Sequence, residues 1–233
     1  MNTSRLDRFI SKKLSIKRQA VRLLLAQRRV CVNGVIASDI NQTVDNFSSI
    51  EFDGQPLQAN TPRYIALNKP AGIVSATQDK QHTTVIDLLN YPFKNELHIV
   101  GRLDLNSTGL LLLTNDSRWS RKLMSPGNKI SKQYRVKLEN PLSEEYVEAF
   151  DEGMYFSYED ITTQPVKLKI INEFVAELTL IEGRYHQIKR MFGRFRNPVL
   201  ELHRFAIGNL HLGKALEPGE SRHLSSSEAE AIF

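Results

Sequence analysis

Apolar residues follow two textures along the chain, one up to about residue 60 and one beyond it. In the first, Leu6, Phe9, Ile10 and Leu14 recur at the spacing of one helix face. Ser15 stands where an N-cap would open a second helix, from Ile16 to about Arg28, with Ile16, Ala20, Leu23 and Leu24 as its apolar stripe. Val30-Cys31-Val32 and Val35-Ile36 flank Asn33-Gly34, and Asn-Gly between β-branched residues predicts a hairpin. Polar residues around Gln58 to Pro62 mark a linker. Strand-like runs follow at Arg63 to Leu67, Leu110 to Thr114, Gln133 to Leu138, Val166 to Ile171, Phe174 to Ile181 and Val199 to Ile207. Helical patterns intervene near 118–124, 144–150 and 185–195. Without regular βαβ alternation, this mixture predicts an α+β fold with a largely antiparallel mixed sheet flanked by helices. The expected division is a module of residues 1–60 and a second domain of residues 61–233.

The longest apolar stretches, such as Leu110 to Leu113, run to about four residues, far short of the roughly 20 of a helical bilayer span. No membrane association is expected. Met1 to Asp7 lacks the apolar stretch of a signal peptide, and the single cysteine, Cys31, fits a reducing cytosol. A cytoplasmic location is the expectation. The sequence has no Cys-x-x-Cys, no His-x-x-x-His, no phosphate loop and no Gly-x-Ser-x-Gly elbow. An enzyme with this sequence is expected to need no metal and no cofactor.

Charge sharpens the picture. The chain carries a net +5, but residues 1–33 hold nine basic side chains against one acid, Asp7, a local +8. Arg5, Arg8 and Lys12 share a face of the first helix, Arg18 and Arg22 stand one turn apart on the second, and Arg29 precedes the first strand. Like charges this dense repel unless a polyanion neutralises them. The stretches Arg5-Leu6-Asp7-Arg8-Phe9-Ile10 and Arg28-Arg29-Val30-Cys31-Val32-Asn33-Gly34 resemble the S-four-type RNA-binding domain. That resemblance makes Arg5, Arg8, Lys12, Arg18, Arg22 and Arg29 the expected RNA-binding face.

Two later segments carry candidate chemistry. Leu110 to Leu113, bounded by Gly109 and Thr114, suit a strand buried on both faces. Just before it, Asp104 sits between Leu103 and Leu105, bracketed by Gly101 and Gly109. By pattern alone it reads as a turn carboxylate or as a catalytic one. Gly183 to Phe192 reads as a helix with Tyr185, Ile188, Phe192 and Phe195 on its apolar stripe and Arg184, Lys189, Arg190 and Arg194 elsewhere. It reads as a solvated basic helix or as a second contact with a polyanion. Trp119, beside Arg118, Arg121 and Lys122, is expected in the core.

Gly101-Arg102-Leu103-Asp104, followed by Thr108-Gly109-Leu110-Leu111-Leu112-Leu113-Thr114-Asn115-Asp116, resembles the catalytic motif of RNA pseudouridine synthases, in their RsuA-like branch. Asn68-Lys69-Pro70-Ala71-Gly72, Lys132-Gln133-Tyr134, Gly183 to Met191 and Leu202 to Gly208 agree with further motifs of that family in order and spacing. The resemblance implies isomerisation of a uridine within RNA. It makes Asp104 the nucleophile, Lys189 its ion-pair partner and Tyr134 an aromatic wall packed on the uracil. A site between Leu103 and Leu105 would desolvate the carboxylate. Arg102, two residues earlier, would hold a phosphate or the gap left by the flipped base. Leu202 would line the pocket, and Lys69, Arg184, His186 and Arg190 would contact the RNA backbone. The expected partner is ribosomal RNA, free or in an assembly particle, and the enzyme is expected to act as a monomer. Tyr185 to Phe192 resembles the small-subunit (16S) type more than the large-subunit (23S) type. A non-catalytic RNA-binding assembly factor is the reading from another class.

Overall fold

The computed structural model describes residues 3–213 and 215–233. The chain forms two compact units, residues 1–62 and 63–233. Among the described residues no helix is long and apolar enough to cross a membrane.

The first unit contains β1 (Ser4–Arg5), α1 (Leu6–Leu14), α2 (Arg18–Ala26), β2 (Val30–Val32), β3 (Val35–Ile36), β4 (Thr43–Val44), β5 (Ile50–Phe52) and β6 (Gln55–Gln58). β3, β2, β5 and β6 form an antiparallel sheet in that order. The helices bury Leu6, Ile10, Val21 and Leu25 against Val30, Val32, Val44 and Ile50. The β2–β3 hairpin forms as expected, and Asn33 (φ 51°) and Gly34 (φ 77°) both adopt the positive φ of a type I′ turn.

The second helix differs from expectation. Ser15 closes α1 in a left-handed conformation instead of opening α2, and Lys17 precedes the first helical residue. Leu23 is 60% exposed and Ala20 is exposed, while Val21 and Leu25 are buried and Leu24 packs beside them. The segment carries two stripes one residue out of phase. Burying the larger Val21 in place of Ala20 removes more apolar surface from water, which favours the observed one.

The second unit contains β7 (Tyr64–Lys69), β8 (His98–Val100), β9 (Thr108–Thr114), α3 (Ser117–Met124), β10 (Lys132–Leu138), α4 (Glu144–Glu152), β11 (Tyr155–Phe156), β12 (Ile161–Thr162), β13 (Lys167–Asn172), β14 (Val175–Leu180), α5 (Gln187–Gly193), β15 (Val199–Ile207), β16 (Leu210–His211), β17 (Ser221–His223) and α6 (Ser226–Ala231). Its main sheet runs β13-β14-β10-β15-β9-β7-β17, with β8 on β9 and β16 on β15. The pairs are antiparallel except β9 with β15, which run parallel through Thr108–His203 and Gly109–Arg204. This is the α+β fold with a largely antiparallel sheet that the pattern predicts.

β9 is buried on both faces. Leu110 and Leu112 pack with Trp119, Leu123, Ile207 and Ile232, whereas Leu111 and Leu113 pack with Ile65, Leu67, Val85, Leu89 and Leu103. Trp119 lies in the core, and its Nε1–H donates to the Ala229 carbonyl at 2.9 Å. A third cluster holds α4 and α5 against β10, β13 and β14 through Val136, Phe150, Leu168, Leu178, Met191 and Phe192. The helix expected from Tyr185 to Phe195 is shorter, and Tyr185 is not on its buried stripe; Ile188, Met191 and Phe192 are.

Candidate active site

The segment before β9 is held from several directions. Ser107 N–H donates to the Asp104 carbonyl at 3.1 Å, so Asp104 opens a tight turn. Leu103 is buried, and both its N–H and its carbonyl bond to the Ser75 hydroxyl, at 3.1 and 2.7 Å. Leu105 is exposed, so the apolar neighbours expected to desolvate the carboxylate act from one side only.

Lys69, at the end of β7, is fully buried. Its Nζ donates to the carbonyls of Pro70 (3.0 Å), Leu105 (3.0 Å) and Ser107 (2.8 Å). The expectation that Lys69 contacts RNA is therefore wrong, because its ammonium points inward and tethers the turn that carries Asp104. Burial pushes its pKa down to about 8, and the Asp104 charge pulls it partly back.

The Asp104 side chain is 30% exposed. Its Oδ2 lies 3.2 Å from Lys189 Nζ, and its Oδ1 lies 3.4 Å from His186 Nε2. Lys189 projects from α5, which Ile188, Met191 and Phe192 anchor in the core. His186 precedes α5 in a left-handed conformation (φ 48°, ψ 31°). Gln187 fixes this junction: it is buried, donates to Glu182 at 2.8 Å and accepts from the Arg184 N–H at 3.0 Å. Asp104 and Lys189 thus meet, and His186 reaches the carboxylate itself, a contact that spacing did not reveal.

Tyr134, on β10, packs against two clusters, one containing Leu103 and the other Ile188. Its hydroxyl accepts from Arg204 Nη1 at 3.3 Å. Arg204 is buried, donates from Nε to the Leu110 carbonyl at 2.8 Å, and keeps Nη2 buried without a partner. It thereby links the Tyr134 strand to β9. Sequence reading missed this role, since nothing in Leu202 to Gly208 marks which way the guanidinium turns.

The other site residues scatter. Arg102 is exposed and makes no ion pair among the described residues. Leu202 is buried in the core beside Val136 and does not present a free wall. Arg184 pairs with Glu182 at 2.9 Å. Arg190 is bound bidentately by Glu159 at 2.6 and 2.7 Å and stacks on Phe156, so both its charge and its face are engaged within the protein. In the first unit Arg5 pairs with Asp7 at 2.9 Å and Arg29 with Asp53. Arg8, Lys12, Arg18 and Arg22 are exposed and lack an acidic partner among the described residues. Among the described residues no group of three His, Cys, Asp or Glu side chains gathers as a metal site.

A family profile described as RNA pseudouridylate synthase matches residues 63–193, which contain Asp104, Tyr134 and Lys189. The chain belongs to this family. Like its members it is an isomerase acting on RNA. A profile for the S4 domain matches residues 4–48 of the same synthase. The synthase is 47% identical to the ribosomal small subunit pseudouridine synthase A of Pseudomonas aeruginosa, over 96% of this chain and 98% of that protein. It is 40% identical to the protein of the same name from Escherichia coli K12, over 98% and 99%. A solved pseudouridylate synthase superposes with a TM-score of 0.72 at 38% identity, covering 98% of this chain and 99% of that one.

Proposed function

We propose that this synthase converts one uridine of small-subunit (16S) ribosomal RNA to pseudouridine, with Asp104 as its nucleophile. The observation that carries the proposal is the Asp104 carboxylate on a turn tethered by buried Lys69 and faced by Lys189 at 3.2 Å. Near-full-length similarity to small-subunit pseudouridine synthases favours 16S RNA as the substrate. Residues 1–60 then serve as the RNA-docking module, through Arg8, Lys12, Arg18 and Arg22, and residues 61–233 carry out catalysis. The enzyme works as a cytoplasmic monomer, on free RNA or on an assembly particle.

The uridine leaves the RNA stack and reaches the partly exposed Asp104 carboxylate. The bond from ribose C1′ to uracil N1 breaks, the base turns, and C1′ bonds to C5. N1 gains a proton and C5 loses one, so no atom is added or removed overall. A carboxylate suits this sequence because it forms a covalent adduct and then leaves. Lys189 orients the carboxylate. Tyr134, held at its hydroxyl by Arg204, supplies an aromatic face for the displaced uracil, which offsets part of the unstacking cost. Arg102 is exposed beside the turn and reaches a phosphate or the vacated stack position.

The test is to incubate the protein with unmodified 16S RNA, free and in assembly particles, and to map pseudouridine. One new pseudouridine is expected with the wild type and none with Asp104→Asn. Product from Asp104→Asn would remove Asp104 from this role, and no product from the wild type on either substrate would favour a binding protein.

A further inference from the structure

Tyr185 is 76% exposed, although the sequence pattern places it on a buried stripe. Its ring lies against the His186 imidazole, with centroids 3.9 Å apart and planes at 20°. That imidazole in turn stands 3.4 Å from the Asp104 carboxylate. We propose that Tyr185 and His186 form a stacking platform for the nucleobase adjacent to the reacting uridine in the RNA strand. The inference rests on the proposed entry of that uridine at Asp104.

Single exposed aromatic side chains are ordinary, but this one stacks on a residue whose backbone is held in place. His186 adopts a left-handed backbone conformation, which is costly for a residue other than glycine and persists only where its surroundings impose it. The buried Gln187 and the anchored α5 impose it here. The result is a two-ring stack that starts at the carboxylate and ends in an open π-face. The surrounding chain does not oppose a phosphodiester: residues 183–200 contain no acid, and the carboxylates that reach this stretch, Asp104, Glu159 and Glu182, face Lys189, Arg190 and Arg184.

The chemistry supplies the need. When a uridine swings out of a strand, the base next to it loses a stacking face. An aromatic side chain replaces that face for any base, because every base has a π-surface. Tyr185 then contributes to substrate capture and leaves the bond-changing steps to Asp104, so its effect falls on KM more than on kcat.

The test uses 16S RNA with its natural sequence, and two ligated versions abasic on the 5′ or the 3′ side of the modified uridine. On the natural RNA, Tyr185→Leu is expected to raise KM roughly tenfold with little change in kcat, while Tyr185→Phe keeps the wild-type KM. On one of the two abasic RNAs the wild type shows the same raised KM, and Tyr185→Leu adds nothing further. Equal KM for Tyr185→Leu and wild type on natural RNA overturns the platform. So does a Tyr185→Leu loss that persists in full on both abasic RNAs. Asp104→Asn is assayed in parallel: product from that variant overturns entry of the uridine at Asp104, a result distinct from either KM outcome.

Discussion

Replacing Lys69 with Met sets two opposing effects against each other at one buried site. The ammonium donates to three carbonyls, of which Leu105 also accepts from the Gly72 N–H at 3.0 Å. Met therefore leaves the Pro70 and Ser107 carbonyls without a donor, at about 1–3 kcal/mol each. Against this, burial lowers the Lys69 pKa from 10.5 to about 8, which corresponds to about 3 kcal/mol spent on keeping the charge inside, and Met removes that term. At pH 7 the variant is expected to be less stable by at most about 3 kcal/mol. The pH dependence is more telling. Between about pH 8 and 10.5 the unfolded lysine holds a proton that the folded one has released, so wild-type stability gains from this group as pH rises. Met has no such gain, so the stability gap should widen by about 3 kcal/mol from pH 7 to 10.5, other titrations cancelling in the difference. Urea unfolding of both proteins at four pH values in this range measures the gap. A gap that stays flat or narrows would refute the reasoning, because the three carbonyls would then hold the ammonium charged. Turnover should also drop in the variant, by about 100-fold if the freed turn moves Asp104 by about 1 Å.

Lys189→Met should fold normally, with an unchanged thermal midpoint, and form no pseudouridine; wild-type turnover would remove Lys189 from the site. Arg18→Ala with Arg22→Ala should weaken RNA binding and lower the salt slope by up to about 1.8, measured as log K against log salt. An unchanged slope would mean that neither arginine touches phosphate. Gly109→Ala should be severely destabilised or insoluble. Gly109 has φ +102°, and a Cβ there would overlap the Arg204 carbonyl of the parallel β15. A soluble variant with a wild-type urea midpoint would contradict that close approach.

Much of this molecule is legible where periodicity and turn chemistry agree. The Asn33-Gly34 hairpin, the doubly buried β9 and the sheet strands follow from local pattern, and the motif order pairs Asp104 with Lys189 across 85 positions. The misses share a physical cause. Lys69, Arg190 and Arg204 are all basic letters, yet one ends on three carbonyls, one on a carboxylate and one on a carbonyl and a phenol together. Charge in a sequence does not say which acceptor a long side chain reaches. Likewise Tyr185 fits a helical stripe by spacing, but the helix starts two residues later and leaves it in solvent. The α2 stripe was ambiguous because both phases are apolar, and tertiary packing chose the larger side chain.

The parallel pairing of β9 with β15 also bears on how the protein forms. It joins Thr108 and Gly109 to residues 95 positions later, while Ala229 and Ile232 complete the cluster behind Leu110 and Leu112. Contacts this distant close late, because the loop entropy must be met before they contribute. A chain emerging from its N-terminus therefore presents a finished basic module long before the turn bearing Asp104 has its supporting sheet. If the proposed division of labour holds, RNA docking precedes RNA chemistry in the life of each molecule, and an early chain should bind without modifying.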